Sequence, residues 1–143
     1  MVLLDALVRN EGDSVETEWT VPAEGPWIRD GILDRAALVE VAAQTAAARA
    51  GLLRQEQGLP PEPGYLGAIQ DFAFAGDARS GDRLRCTVQV RFRVGTVTRV
   101  SCTVRRAGDA EDAPLARGEL SLAVVPVPAG EEDPRPAATG GSA

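Results

Sequence analysis

Ala36-Ala37-Leu38-Val39-Glu40-Val41-Ala42-Ala43-Gln44-Thr45-Ala46-Ala47-Ala48 is the run that decides how the rest of the chain must fold. Alanine and leucine favour helix, neither Gly nor Pro interrupts the run, and Asp34 is placed to cap its first turn. Between Arg35 and Arg49 the only charged residue is Glu40. The helix is therefore apolar nearly all round and is expected to be wrapped on most sides. Gln44 lies one turn beyond Glu40, so its amide and the carboxylate share a face, with Ala36, Ala37, Ala43 and Ala47 leaving room beside them. A carboxylate in such a setting is either catalytic or held by a hydrogen-bond network.

Working outward, the flanks read as strands. Before the helix, Val2–Val8 is a short apolar run, closed by a turn over residues 9–13. Ser14–Val21 then alternates, with Val15, Thr17, Trp19 and Val21 on one face. Residues 22–31, broken by Pro22, Gly25, Pro26 and Gly31, form an irregular entry to the helix. Gly58 and the prolines at 60, 61 and 63 stop it.

After the helix, Tyr65–Ala75 reads as a strand. Arg83–Val94 alternates strictly, placing Leu84, Cys86, Val88, Val90, Phe92 and Val94 inward and Arg83, Arg85, Arg91 and Arg93 outward. Gly95 turns the chain back into Thr96–Arg105, with Thr98, Val100, Cys102 and Val104 inward. Leu115–Val125 closes the sheet with Leu120, Leu122 and Val124 inward. The pattern predicts an α+β fold, an antiparallel sheet of five to six strands around one long central helix. It spans residues 1–126 as a single domain, and composition predicts a disordered tail over 127–143. One sheet cannot enclose such a helix, so a dimer at least is expected.

Composition narrows the chemistry. The chain has 143 residues, a net charge of -6, and only two Trp, one Tyr and three Phe, a poor match to nucleic acid. All fifteen basic residues are Arg and there is no His. A Ser-His-Asp triad and a His-ligated zinc site are thereby excluded, and neither metal nor cofactor is expected. Cys86 and Cys102, sixteen residues apart, fit no zinc spacing and read as reduced core thiols. The start of the chain has no basic segment and meets Asp5 early, so the expectation is a cytoplasmic protein without a membrane partner.

The order of elements resembles the hotdog fold, and three motifs sharpen the resemblance. Val39-Glu40-Val41-Ala42-Ala43-Gln44 is similar to the helix motif of beta-hydroxyacyl-acyl carrier protein dehydratases of the FabZ type. Tyr65-Leu66-Gly67-Ala68-Ile69-Gln70 resembles their following strand, and Ala78-Arg79-Ser80-Gly81-Asp82-Arg83-Leu84 the entry to the next. Closer still is the ApeP-like branch of aryl polyene biosynthesis, matched by Gly31, Leu33, Glu40, Ala43, Gln44, Thr45 and Gly51. Asp34 and Ala42 depart from that branch, where Pro and Met stand. The catalytic His of the active dehydratases has no counterpart, and its ungapped position falls on Pro26.

In these dehydratases a His removes the C2 proton, a helix carboxylate protonates the leaving hydroxyl, and backbone N–H groups near the helix start polarise the thioester carbonyl. The resemblance implies Glu40 as acid with Gln44 beside it, and Gly31, Leu33, Tyr65, Leu66 and Gly67 around the acyl group. Loss of a general base costs about 100- to 10,000-fold in rate. Three readings stay open. The chain contributes Glu40 to a site whose His comes from another hotdog protein; or Glu40 works alone, as base or nucleophile of a thioesterase or as a single carboxylate doing both proton transfers; or the groove only binds an acyl chain or stabilises a complex. The assembly is a homodimer or a heterodimer with a His-bearing hotdog protein. The substrate implied is an acyl thioester, with acyl carrier protein placed ahead of coenzyme A because the outward arginines suit an acidic carrier.

Overall fold

Asp34 caps the long helix in the computed structural model, which describes residues 3–60, 64–110 and 113–124, and only the backbone at 64–66 and 124. The expected tail over 127–143 lies outside the described residues. Strands β1 (Ala6–Glu11) and β2 (Ser14–Thr20) form a first hairpin, and β3 (Ile28–Arg29) and β4 (Ile32–Leu33) a second, small one. Helix α1 (Arg35–Glu56) follows, then β5 (Gly64–Phe74), β6 (Arg83–Val94), β7 (Val97–Arg106) and β8 (Ala116–Val124). Six strands make one antiparallel sheet in the order β1-β2-β6-β7-β8-β5. This is the α+β hotdog architecture implied by the resemblance.

Local chemistry accounts for both ends of α1. Asp34 Oδ1 accepts from the Ala36 N–H at 2.9 Å, satisfying one of the donors a helix start leaves open. At the far end Gly58 takes φ of +72°, and the Leu59 N–H returns to the Arg54 carbonyl at 2.8 Å. The helix lays Ala37, Leu38, Val41, Ala42, Thr45, Ala46 and Arg49 against the sheet, chiefly over β2, β6 and β7. There it meets Val15, Leu84, Val88, Val100 and Val104, all at or near zero exposure. Each fully buried aliphatic side chain of this kind contributes about 2 kcal/mol.

The helix is not wrapped on most sides. Ala36, Ala47, Ala50 and Gly51 are exposed, and Glu40 and Gln44 are half-buried. The sheet curls around one face only, and alanine's small area means that leaving the other face open costs the single chain little.

Three strand details depart from the sequence reading. β1 starts at Ala6, not Val2, and runs through Glu11, because the turn needs only Gly12, at φ +55°, and Asp13. The segment read as an irregular entry contains the β3–β4 hairpin, whose two-residue turn Asp30-Gly31 has φ of +54° and +75°, the primed-turn geometry that Asp-Gly favours. In β6 the alternation breaks at Arg91, an extra residue between the pairs Val90–Val100 and Phe92–Arg99. This bulge inverts the faces beyond it. Phe92 and Val94, expected inward, are 51% and 69% exposed, and by register Arg93 shares the inner face with Thr98. Cys86 and Cys102 are buried free thiols on neighbouring strands, as expected.

Candidate active site

Glu40, the only carboxylate between Arg35 and Arg49, stands at the border between the covered and open faces of α1. Gln44 Nε2 donates to Glu40 Oε2 at 3.1 Å, the i to i+4 contact that helical spacing predicts. Gln44 Oε1 in turn accepts from the backbone N–H of Leu3 at 2.7 Å. Since a backbone N–H can only donate, the amide oxygen must face Leu3 and the NH2 must face Glu40. Glu40 Oε1 has no protein donor among the described residues. The pair is thus a carboxylate with one oxygen held and one presented.

One turn further, Thr45 donates to the Val41 carbonyl at 2.8 Å, so its oxygen accepts from Thr17 of β2, also at 2.8 Å. This buried bridge ties the helix to the sheet below the site. Burial pushes the Cys86 thiol up to about 12, with the Thr45 hydroxyl opposing the shift. Cys102 is likewise raised, first by burial. Neither is a nucleophile in this setting.

Four donors at the entry to the helix are committed within the chain. The Leu33 N–H donates to the Ala78 carbonyl, the Asp34 N–H to the Trp27 carbonyl, and the Ala37 N–H to the Asp34 carbonyl, at 2.8–2.9 Å. With Ala36 capped by the Asp34 carboxylate, these four donors are already in use. The resemblance implied that N–H groups near the helix start would face a thioester carbonyl; in this chain these four hold the hairpin and the cap.

The other residues singled out in the sequence are spread around this centre. Gly31 sits in the exposed hairpin turn, its carbonyl accepting from the Ser80 N–H at 3.0 Å. Leu33 is 1% exposed and belongs to the core. Gly67 is the extra residue of a β5 bulge between the pairs Leu66–Leu122 and Ala68–Ser121. A Cβ on it would lie 3.2 Å from the Ser121 carbonyl oxygen, so glycine permits the close approach. Tyr65 and Leu66 pair with Ala123 and Leu122 along β5, and their side chains lie outside the described residues. The structure joins Glu40 to Gln44 directly, while Gly31, Leu33 and Gly67 touch neither in any hydrogen bond. Leu3 was missed, since its part is played by a backbone N–H that every residue but proline carries.

Arg49 closes the buried face of α1, donating to the Gly12 carbonyl at 2.9 Å and approaching Asp13 at 3.4 Å. Burial lowers its pKa first, the nearby Arg93 second, and Asp13 opposes both. Part of the arginine row expected on the outer face is ion-paired, and neighbouring arginines of the sheet are paired as well. Arg85 binds Glu18, whose carboxyl it holds below the usual range. Arg99 binds Glu119 at 2.8 Å and lies over the Phe92 ring. Arg106 binds Asp82 at 3.1 Å. Among the described residues, no cluster of three or more His, Cys, Asp or Glu is placed to hold a metal ion.

Comparison with known proteins follows this geometry. A family model described as ApeP-like, ApeP dehydratase, matches residues 1–129. The dehydratase heterocomplex ApeI:P from Xenorhabdus doucetiae superimposes with a TM-score of 0.78 at 19% identity, over 91% of this chain and 86% of that one. The E. coli PaaI protein of the phenylacetic acid degradation operon gives a TM-score of 0.65 at 15% identity, over 85% and 79%. Zebra fish thioesterase superfamily member 2 gives 0.64 at 16% identity, over 83% and 80%. No curated protein sequence matches the chain.

Proposed function

Because the chain belongs to the ApeP-like dehydratase family, we propose that it works on 3-hydroxyacyl and enoyl thioesters of acyl carrier protein, as the His-less subunit of a heterodimer. The observation that carries this reading is a carboxylate, Glu40, held by Gln44 at the open face of α1 in a chain with no His. A 3-hydroxyacyl group loses water when a base takes the C2 proton and an acid protonates the departing C3 hydroxyl. Glu40 supplies the acid. The base, a His, comes from the partner subunit across the interface. With four donors at the helix entry of this chain held by its own cap and hairpin, the partner shares in supplying the groups that stabilise the enolate oxygen.

Two findings support the heterodimer in particular. The open alanine face of α1 suits a second hotdog protein, and the ApeI:P structure is itself a heterocomplex. Hotdog thioesterases among the structural neighbours favour a second reading, in which Glu40 alone serves as base or nucleophile for hydrolysis.

The test is hydration of a short enoyl thioester by the pure chain, by a His-bearing hotdog protein of the same host, and by the two together, each beside Glu40→Gln. The expected result is a mixture at least about 100-fold faster than either component, returning to the background with Glu40→Gln. Thioester hydrolysis by the pure chain that vanishes with Glu40→Gln would select the thioesterase reading. A mixture indifferent to Glu40→Gln would remove both.

A further inference from the structure

We propose that Leu3 is a positioning residue of the Glu40 site: its backbone N–H sets the rotamer of the Gln44 amide and so decides which carboxylate oxygen of Glu40 is presented. This rests on the reading of Glu40 as the working acid. The geometry is a relay of two hydrogen bonds, Leu3 N–H to Gln44 Oε1 at 2.7 Å and Gln44 Nε2 to Glu40 Oε2 at 3.1 Å. An amide can satisfy a donor on one side and an acceptor on the other in one orientation only. Flipping Gln44 would set its oxygen against the carboxylate and its NH2 against the Leu3 N–H, two repulsions in place of two bonds. With Oε2 accepting from Gln44, the proton that Glu40 delivers rides on Oε1.

The segment bearing Leu3 is well anchored for such a task. Its side chain is 1% exposed within the core, the Asp5 N–H donates to the Glu18 carbonyl at 2.8 Å, and Asp5 Oδ2 accepts from the Thr20 N–H at 2.7 Å. Leu3 precedes β1 and belongs to no ladder. Its N–H is left to the amide of the residue that holds the acid.

Hydrogen exchange of the Leu3 amide, read by NMR on 15N-labelled protein, tests this directly in the wild type, in Gln44→Ala and in Gln44→Glu. Leu3 should be protected in the wild type, exchange at least about 10-fold faster in Gln44→Ala, and stay protected in Gln44→Glu, which keeps an acceptor for it. Unchanged exchange in Gln44→Ala would overturn the proposal, since packing alone would then protect the amide. In the hydration assay with the His-bearing partner, Leu3→Pro, which deletes the donor, should lower kcat about tenfold at unchanged KM, while Leu3→Met, which keeps both the donor and the buried volume, restores most of it. Equal losses in both variants would also overturn it. A mixture silent even as wild type would sink the reading of Glu40 as an acid, and the exchange result would still decide whether Leu3 holds Gln44.

Discussion

Cys86 and Cys102 sit buried on neighbouring strands, and their chemistry follows from burial. With Cys86 pushed up to about 12 and Cys102 also raised, both thiols stay protonated through the physiological range. We expect the native protein to react with iodoacetamide at pH 8 at least about 100-fold more slowly than the urea-unfolded chain, whose thiols sit near 8.5. Rapid labelling of the folded protein would show that one of the two strands opens. Both cysteines were legible as core positions from the alternation of β6 and β7, Glu40 because charge is rare in its surroundings, and Gln44 because helical spacing fixes its distance. Leu3 was not, since the group that acts there is shared by every residue but proline.

At the scale of elements, the helix and the long strands could be read from period and breakers. What escaped was every place where a strand holds one residue too many. The sequence of β6 alternates without fault, yet Arg91 bulges and the hairpin end turns over; no side chain announces it, because the pattern reads equally well in either register. The β3–β4 hairpin did carry a signal, the Asp30-Gly31 pair, and was passed over because its strands are two residues each. In β5 the second bulge, between Gln70 and Ala73, brings Phe72 onto Gly118 of β8. A Cβ there would stand 2.2 Å from the ring and 2.7 Å from the Phe72 Cα. Gly118→Ala should therefore destabilise by about 2–3 kcal/mol, read as a lower urea midpoint at unchanged slope. A midpoint equal to that of the parent would mean that the bulge yields at no cost.

For the whole molecule, the sequence indicated that the helix needs more cover than one sheet provides. It did not show how the cover would be divided. One face is fully packed and the other is lined with Ala36, Ala47, Ala50 and Gly51, open in the single chain. The proposed subunit pairing makes that face an interface, and its small side chains let a second helix approach closely. Ala47→Glu should leave the circular dichroism and thermal unfolding of the fold intact while reducing the assembly to single chains in light scattering. If Ala47→Glu assembles like the parent, the pairing uses another surface.

The bulge at Arg91 also bears on how this strand can change its length. Losing one residue from a regular strand inverts everything beyond it, and an in-frame deletion at Arg85 would drive charges into the core. At Arg91 the outcome differs. The pairs on either side, Val90–Val100 and Phe92–Arg99, are successive rungs already, so removing the surplus residue leaves each remaining partner in place. This is a point where a lineage could gain or lose a codon without disturbing the sheet, and where the spacing of related sequences is free to differ by one.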